Sequence, residues 1–401
     1  MRGGLLSWIG FLCLVLFASC GEGEEPVGPD EPDTGPAQRT VLIYFAADNS
    51  LALYARTDIE EIKEGLMSSP VEGTHLLAYI DLGDGDARLV EFVKEGDTVV
   101  EEVVEQYGER NSVGVDETRE VFSQVFANPD YEAENYGLVY WSHADGWVPY
   151  PVPSTRWVGQ DTGEGDKRMN LSGFLLALEG MPRLDFIYFD ACFMQSIEVA
   201  YALRDYTDYY IASPTETPGT GAPYEQILPV MLTGDVVEMA EIYYQTYETY
   251  YTGSVQGGYD TEDWTAGAAI CVLSTAELEA LAALTGQLLP DEATDVADLR
   301  AAAFSYDKRR SSYQVGYYDW DDMMQVLLDA ADYAAWKEAF DASVVYWATT
   351  PLNYSSSAGM FSMEGTSGVS HYIPQSLTSS AAAAYRELEW YEAAGLAKLG
   401  W

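Results

Sequence analysis

Leu184-Asp-Phe-Ile-Tyr-Phe-Asp-Ala-Cys192 is the stretch on which the fold turns. Its first six residues are almost wholly apolar and too few for a helix, as expected of a strand buried on both faces of a parallel sheet. The run ends in Asp190-Ala191-Cys192, so a thiol stands at the carboxyl end of a buried strand. Farther upstream, Asn135-Tyr-Gly-Leu-Val-Tyr-Trp-Ser142 has the same character and runs into His143. Residues 40–47, 75–82 and 209–212 read as further strands, and 87–104 as two strands around Glu95-Gly96-Asp97. Helical patterns fall between them at 116–127, 170–181 and 195–203, and Asp48-Asn49-Ser50 can cap a helix carrying Leu51, Leu53, Ile59 and Ile62. Two more helices and a strand near 266–273 follow. Strands alternating with helices predict an α/β fold with a mostly parallel sheet. Working loops of such sheets lie beyond the carboxyl ends of the strands. His143 and Cys192 are both at such ends, on strands that could be neighbours.

Beyond residue 304 the pattern changes. Segments 319–333, 334–348 and 379–397 look helical, and 360–373 looks like short strands. The predicted organisation is a leader over 1–19, an acidic tether over 20–38, a main α/β domain over 39–303, and an α+β region over 304–401 packed on it.

The chain of 401 residues has 20 Lys and Arg against 65 Asp and Glu, for a formal charge of −45. That field repels phosphate backbones and excludes nucleic acid as a natural partner. It attracts cationic groups, and it also keeps an exported protein soluble. Arg2 and the apolar run over 5–17 have the form of an export signal, too short for a membrane span. Leu16-Phe17-Ala18-Ser19-Cys20 resembles a bacterial lipobox, which implies cleavage before Cys20 and lipid on its thiol. Segment 21–38 is rich in Gly, Pro, Glu and Asp and reads as a flexible tether. Glu22, Glu24 and Glu25 resemble a surface-export signal of bacterial lipoproteins. The expected location is the bacterial envelope, with the membrane reached through the lipid.

A thiol becomes a nucleophile when a base removes its proton. Of three histidines, His75 opens a strand and His371 sits in a late apolar strand, whereas His143 ends a buried strand and opens a loop. In caspases the catalytic histidine lies about 50 residues before the cysteine, and His143 precedes Cys192 at that separation. The competing reading of Cys192 is one half of a disulfide with Cys271, since an exported chain permits disulfides. The Asp-Ala-Cys setting favours the nucleophile, and Cys271 then reads as a small buried residue in an apolar strand.

Trp141-Ser-His143-Ala-Asp-Gly-Trp147 and Phe189-Asp190-Ala191-Cys192-Phe-Met194, followed by Glu198-Val-Ala200, resemble the histidine and cysteine motifs of the clostripain family. Tyr44 through Asp48-Asn49, Ala212-Ser213 through Glu216, Pro218 and Gly219, Gly368-Val-Ser-His371-Tyr-Ile-Pro374, and Trp390-Tyr391 extend the resemblance over most of 39–401. It implies a caspase-like sandwich with helices on both faces of the sheet. It also implies a cysteine endopeptidase cleaving protein or peptide substrates after Arg or Lys. Cys192 would be the nucleophile and His143 the acid/base, with backbone N–H groups of Ala144 and Cys192 as the oxyanion hole. Asp190 would bind the substrate cation, with Glu216 as a second candidate whose other reading is a capping carboxylate. The family has glycine after the histidine, where this chain has Ala144, so a glycine-only backbone angle is at issue. That departure supports an alternative, a catalytically impaired binding lipoprotein on the same scaffold. Two further family features are self-cleavage, for which Arg156, Lys167 and Arg168 are candidates, and calcium, for which Asp81, Asp84 and Asp86 offer oxygen ligands or simply a solvated acidic turn. No cofactor is required by the expected chemistry.

Overall fold

The apolar run around Tyr44 forms β1 (Ala37–Ala46), after which strands and helices alternate. Helix α1 (Ala52–Ser68) leads to β2 (Thr74–Asp81), and the hairpin of β3 (Ala87–Glu95) and β4 (Thr98–Gly108) turns at Gly96, which has φ 61°. Next come α2 (Val115–Phe126), β5 (Ala133–Trp141), a small ribbon of β6 (Gly159–Asp161) and β7 (Lys167–Met169), and α3 (Leu171–Leu178). Strand β8 (Leu184–Asp190), α4 (Ile197–Leu203) and β9 (Thr207–Ala212) continue the alternation. Helices α5 (Tyr224–Met231) and α6 (Val236–Tyr250) lead to β10 (Ala269–Ser274), α7 (Leu278–Leu288) and α8 (Val296–Ala302). The rest comprises β11 (Tyr317–Asp319), α9 (Trp320–Leu327), α10 (Ala330–Ser343), β12 (Val344–Thr349), β13 (Leu352–Ser355), β14 (Gly359–Ser362), β15 (Ser370–Tyr372), α11 (Ser380–Tyr385) and α12 (Glu389–Ala393). This computed structural model describes residues 36–148, 157–163, 165–255, 264–309 and 314–401. The leader, Cys20 and Arg156 lie outside the described residues.

Nine strands form one sheet in the order β12-β10-β9-β8-β5-β1-β2-β3-β4. The central five, β9 to β2 in that order, are parallel. The outer two at each end are antiparallel. Alternate residues of β1 feed two cores: Leu42, Tyr44 and Ala46 face one, Val41, Ile43 and Phe45 the other. This is the period-two geometry of a strand covered on both faces. An aromatic row crosses the parallel strands on the first face. Tyr44 stacks on Tyr79 at 4.4 Å and on Tyr140 at 5.3 Å, and Phe189 and Tyr210 continue the row. Stacked pairs add about 0.5–1.5 kcal/mol each beyond area burial, so the row favours one register across these strands.

Two expectations are corrected. The helix anticipated over 334–348 stops at Ser343, and Val344-Val-Tyr-Trp-Ala-Thr349 becomes β12. Its β-branched and aromatic residues suit a strand, and the free edge of β10 supplies hydrogen-bond partners, with Cys271 opposite Trp347. The helix anticipated over 379–397 is divided into α11, α12 and a final 3₁₀ turn at Leu396–Leu399, with Gly395 in the left-handed region.

Residues beyond 304 build an aromatic cluster of Trp320, Trp336, Phe340 and Trp390 around His371. His371 is wholly buried. Its Nδ1 donates to the Tyr372 carbonyl (2.8 Å) and its Nε2 accepts from Trp390 Nε1 (3.1 Å), which makes it the neutral Nδ1–H tautomer. Burial pushes its pKa down to about 3, against the opposing pull of the Tyr372 carbonyl. The folded state therefore binds fewer protons than the unfolded chain below pH 6.5, and the stability His371 provides is lost as pH falls from 6.5 toward 3. We expect His371→Gln to destabilise the protein at pH 8, and the gap to wild type to narrow as pH falls below 6.5. Urea midpoints of both proteins at pH 8 and pH 5 check this; a gap independent of pH contradicts it.

Candidate active site

Strands β5 and β8 are parallel neighbours, with Trp141 opposite Asp190. His143 and Cys192 follow those residues by the same step and leave the sheet edge at one level. Both line a cavity of about 410 Å³, together with Trp141, Ala144, Asp190 and Glu216.

Cys192 stands before an unusual turn. Phe193 has φ 57°, the one described non-glycine residue in the left-handed region. That conformation costs about 1–2 kcal/mol for a residue with a Cβ. It is held by the Phe193 N–H donating to the Thr215 carbonyl (2.9 Å) and by the ring stacking on Tyr317 at 6.3 Å. Thr217 N–H donates to Cys192 Sγ at 3.3 Å. Burial, reinforced by the charge of Glu216, pushes the thiol up to about 12, and the Thr217 N–H only partly offsets this. The resting thiol is therefore protonated at neutral pH. Cys192 and Cys271 are both free, so they do not form the disulfide weighed from sequence.

The His143 ring is half-buried, and its Nε2 pairs with Ser50 Oγ at 2.8 Å. Burial, with the Arg168 charge second, holds its pKa below the ordinary value, leaving a neutral imidazole able to take a proton. Among the described residues no hydrogen bond joins His143 to Cys192. Ser50 is thus not the cap of α1; the helix begins after Leu51 without a side-chain cap, and Asn49 Oδ1 accepts from Leu51 N–H at 2.9 Å.

The loop after His143 is fixed from far along the chain. Arg309 reaches Asp145 with Nη2–Oδ1 and Nη1–Oδ2 distances of 2.7 and 2.8 Å. Tyr317 donates its hydroxyl to the Asp145 carbonyl at 3.1 Å. Gly146 has φ 82°, and a Cβ there would sit 1.9 Å from Tyr317 Oη. The glycine requirement of this loop falls on Gly146. Ala144 does not have a positive φ, so no glycine-only angle is needed there. Among the described residues, the N–H groups of Ala144 and Cys192 donate to no protein acceptor.

Asp190 is 5% exposed. Its Oδ2 accepts from Ala222 N–H (2.9 Å) and Tyr224 OH (3.0 Å), while Oδ1 has no partner among the described residues. Burial raises its pKa to about 6. Glu216 combines its two sequence readings: it lines the cavity, and it accepts from Ser355 Oγ (2.9 Å) and Ser356 N–H (2.8 Å). Lys167 and Arg168 lie in β7, paired with β6, and Arg168 stacks 3.4 Å over Trp157 while binding Asp166. The three aspartates considered for calcium go separate ways. Asp81 is buried near Asp161 and Asp48, Asp84 pairs with Arg56, and Asp86 accepts from Gln106. Among the described residues no group of three or more His, Cys, Asp or Glu is arranged to hold a metal ion. Thr217, Arg309 and Tyr317 were not singled out in the sequence, and Ser50 only as a helix cap, because contacts across so many residues leave no local pattern.

Removing the Glu216 charge is expected to lower the Cys192 pKa. Glu216→Gln should therefore be alkylated by iodoacetamide a few-fold faster than wild type at pH 8, with the wild-type rate still rising at pH 10. Equal rates across that range contradict the assignment; Cys271, wholly buried, contributes no background.

With this geometry in view, comparison with known proteins is direct. The clostripain family's sequence profile matches residues 43–399. A secreted C11 cysteine protease from Bacteroides thetaiotaomicron, solved with an irreversible peptide inhibitor, is 40% identical with TM-score 0.81, covering 90% of this chain and 99% of that one. An inactive zymogen C11 protease from Parabacteroides distasonis is 32% identical with TM-score 0.76 and the same coverage. Clostripain of Hathewaya histolytica is 27% identical over 225 residues, 49% of this chain and 42% of that protein, so the match spans less than half of the curated relative. A mostly parallel sheet covered on both faces, with the thiol and imidazole motifs at its edge, accords with these matches: the chain belongs to the clostripain family.

Proposed function

We propose that this chain is a cysteine endopeptidase that cleaves after arginine or lysine, with Cys192 as nucleophile and His143 as general acid and base. The observation that carries this reading is the level exit of thiol and imidazole from neighbouring parallel strands into one cavity. Cys192 passes its proton to the neutral His143, once Ser50 releases the ring, and Sγ attacks the scissile carbonyl carbon. The oxyanion that forms is met by the unengaged N–H groups of Ala144 and Cys192. His143 returns the proton to the departing amine, and water then hydrolyses the thioester. Asp190, buried with one free oxygen, supplies the anion for the substrate cation, with Glu216 at the cavity wall. Thiol and imidazole both come from the chain, so the reaction needs no cofactor, and calcium is assigned no step.

The impaired-scaffold alternative drew its support from Ala144, and the ordinary backbone angle there removes that reason. Self-cleavage after Lys167 or Arg168 belongs to the same proposal and requires the β6–β7 ribbon to open first. Export also belongs to it. The sequence over 5–20 supports lipidation at Cys20 and an envelope location, and one relative is described as secreted. Among the described residues no helix is long and apolar enough to cross a membrane.

Fluorogenic Arg and Lys peptides should be cleaved by wild type and not by Cys192→Ala, and Asp-terminated peptides by neither. Asp190→Asn should lower kcat/KM for both basic peptides by about 100-fold. KM for the basic peptides should rise as pH falls through about 6, where Asp190 takes up a proton and loses its charge. Thiol-dependent cleavage only after Asp, or none at all, refutes the proposal.

A further inference from the structure

A second cavity, of about 450 Å³, is lined by α3, by α4 and by the segment that joins α11 to α12. It shares no lining residue with the catalytic cavity. Its size is that of a small-molecule site, roughly 300–1,000 Å³. Trp147, Tyr201 and Trp390 give it aromatic walls, and Leu171, Leu175 and Leu388 give it aliphatic ones. Four acidic side chains, Glu198, Asp205, Glu387 and Glu389, also line it, and no described lysine, arginine or histidine does.

Arg204, which is not part of the lining, answers two of these acids. It pairs with Glu389 at 2.9 Å and with Asp205 at 3.8 Å. Glu198 is answered by no charge. It is 1% exposed; its Oε1 accepts from the Tyr372 N–H at 2.7 Å, and its Oε2 has no hydrogen-bond partner among the described residues. His371 Nδ1 lies 3.9 Å from Oε1, but that ring is neutral. The Trp147 indole faces Glu198, and its Nε1 is without a partner too. A buried carboxyl either keeps its proton or is met by a cation. Burial raises the Glu198 pKa to about 7, so positive charge beside it suffices to ionise it at neutral pH. Aromatic faces attract cations as well, by about 0.5–2 kcal/mol.

We propose that this cavity is a second ligand site, for a small organic ammonium carrying an aromatic or branched apolar group, with Glu198 as its counter-ion and Trp147 and Trp390 among its walls. A neutral ligand of that shape leaves Glu198 unanswered, and an anionic one meets like charges. Glu198 lies on the helix that follows Cys192, and Trp147 on the loop that follows His143. A ligand here therefore touches both segments that carry the thiol and imidazole without entering their cavity. Binding does not require peptidase activity.

Calorimetric titration of the mature chain with phenethylamine, 2-phenylethanol and 3-phenylpropionate separates charge from shape. Phenethylamine should bind at least about tenfold tighter than 2-phenylethanol, and 3-phenylpropionate should give no measurable binding. Glu198→Gln, which keeps an acceptor for the Tyr372 N–H, should weaken phenethylamine about tenfold. Ala202→Trp, which fills the cavity from α4, should abolish its binding. Asp190→Asn, in the catalytic cavity, should leave its affinity within about twofold. No measurable amine binding, equal affinity for amine and alcohol, an unchanged affinity in Glu198→Gln, or a loss in Asp190→Asn overturns the proposal. If Glu198→Gln fails to fold, the wild-type ligand series and Ala202→Trp decide.

Discussion

The parallel register of β5 and β8 is the constraint on which the site depends. Trp141 lies opposite Asp190, and everything chemical in the chain is counted from that pair. A slip of one residue would turn each strand's side chains to the other face. The aromatic row through Tyr79, Tyr44, Tyr140, Phe189 and Tyr210 opposes such a slip, because its rings meet only in this alignment. Packing beneath the sheet edge thus governs the spacing of thiol and imidazole above it.

Beyond the edge, Cys192 and His143 are placed by different means. Cys192 is aimed by a backbone in an unfavourable conformation at Phe193, held by Thr215 and Tyr317. His143 is placed by a loop whose next residues are clamped by Arg309 and Tyr317. Tyr317 serves both, since it stacks on Phe193 and fills the space at Gly146. The region beyond residue 304 is therefore part of the site's framework, and through β12 it is part of the main sheet as well.

The electrostatics of the resting site are those of a neutral thiol beside a neutral imidazole. Burial raises the thiol and lowers the imidazole, so neither carries charge at neutral pH. The buried carboxyl of Asp190 lines the same cavity, in a chain whose formal charge is already −45.

The amino-acid order alone determined the strands around Tyr44, Trp141 and Phe189, because runs buried on both faces carry an unmistakable apolar pattern. It also determined the placement of His143 and Cys192 at strand ends, and the motifs by which the chain resembles its family. It did not determine that Val344–Thr349 would leave a helical pattern to complete a sheet edge, since that depends on a partner strand offering hydrogen bonds. Nor could it decide the matter of Ala144, because a backbone angle is a property of the folded loop, and the loop places its glycine need at Gly146. Arg309 and Tyr317 came to the site only through tertiary structure: each is far from His143 and Cys192 along the chain, and contacts made across folded layers leave no periodicity to read.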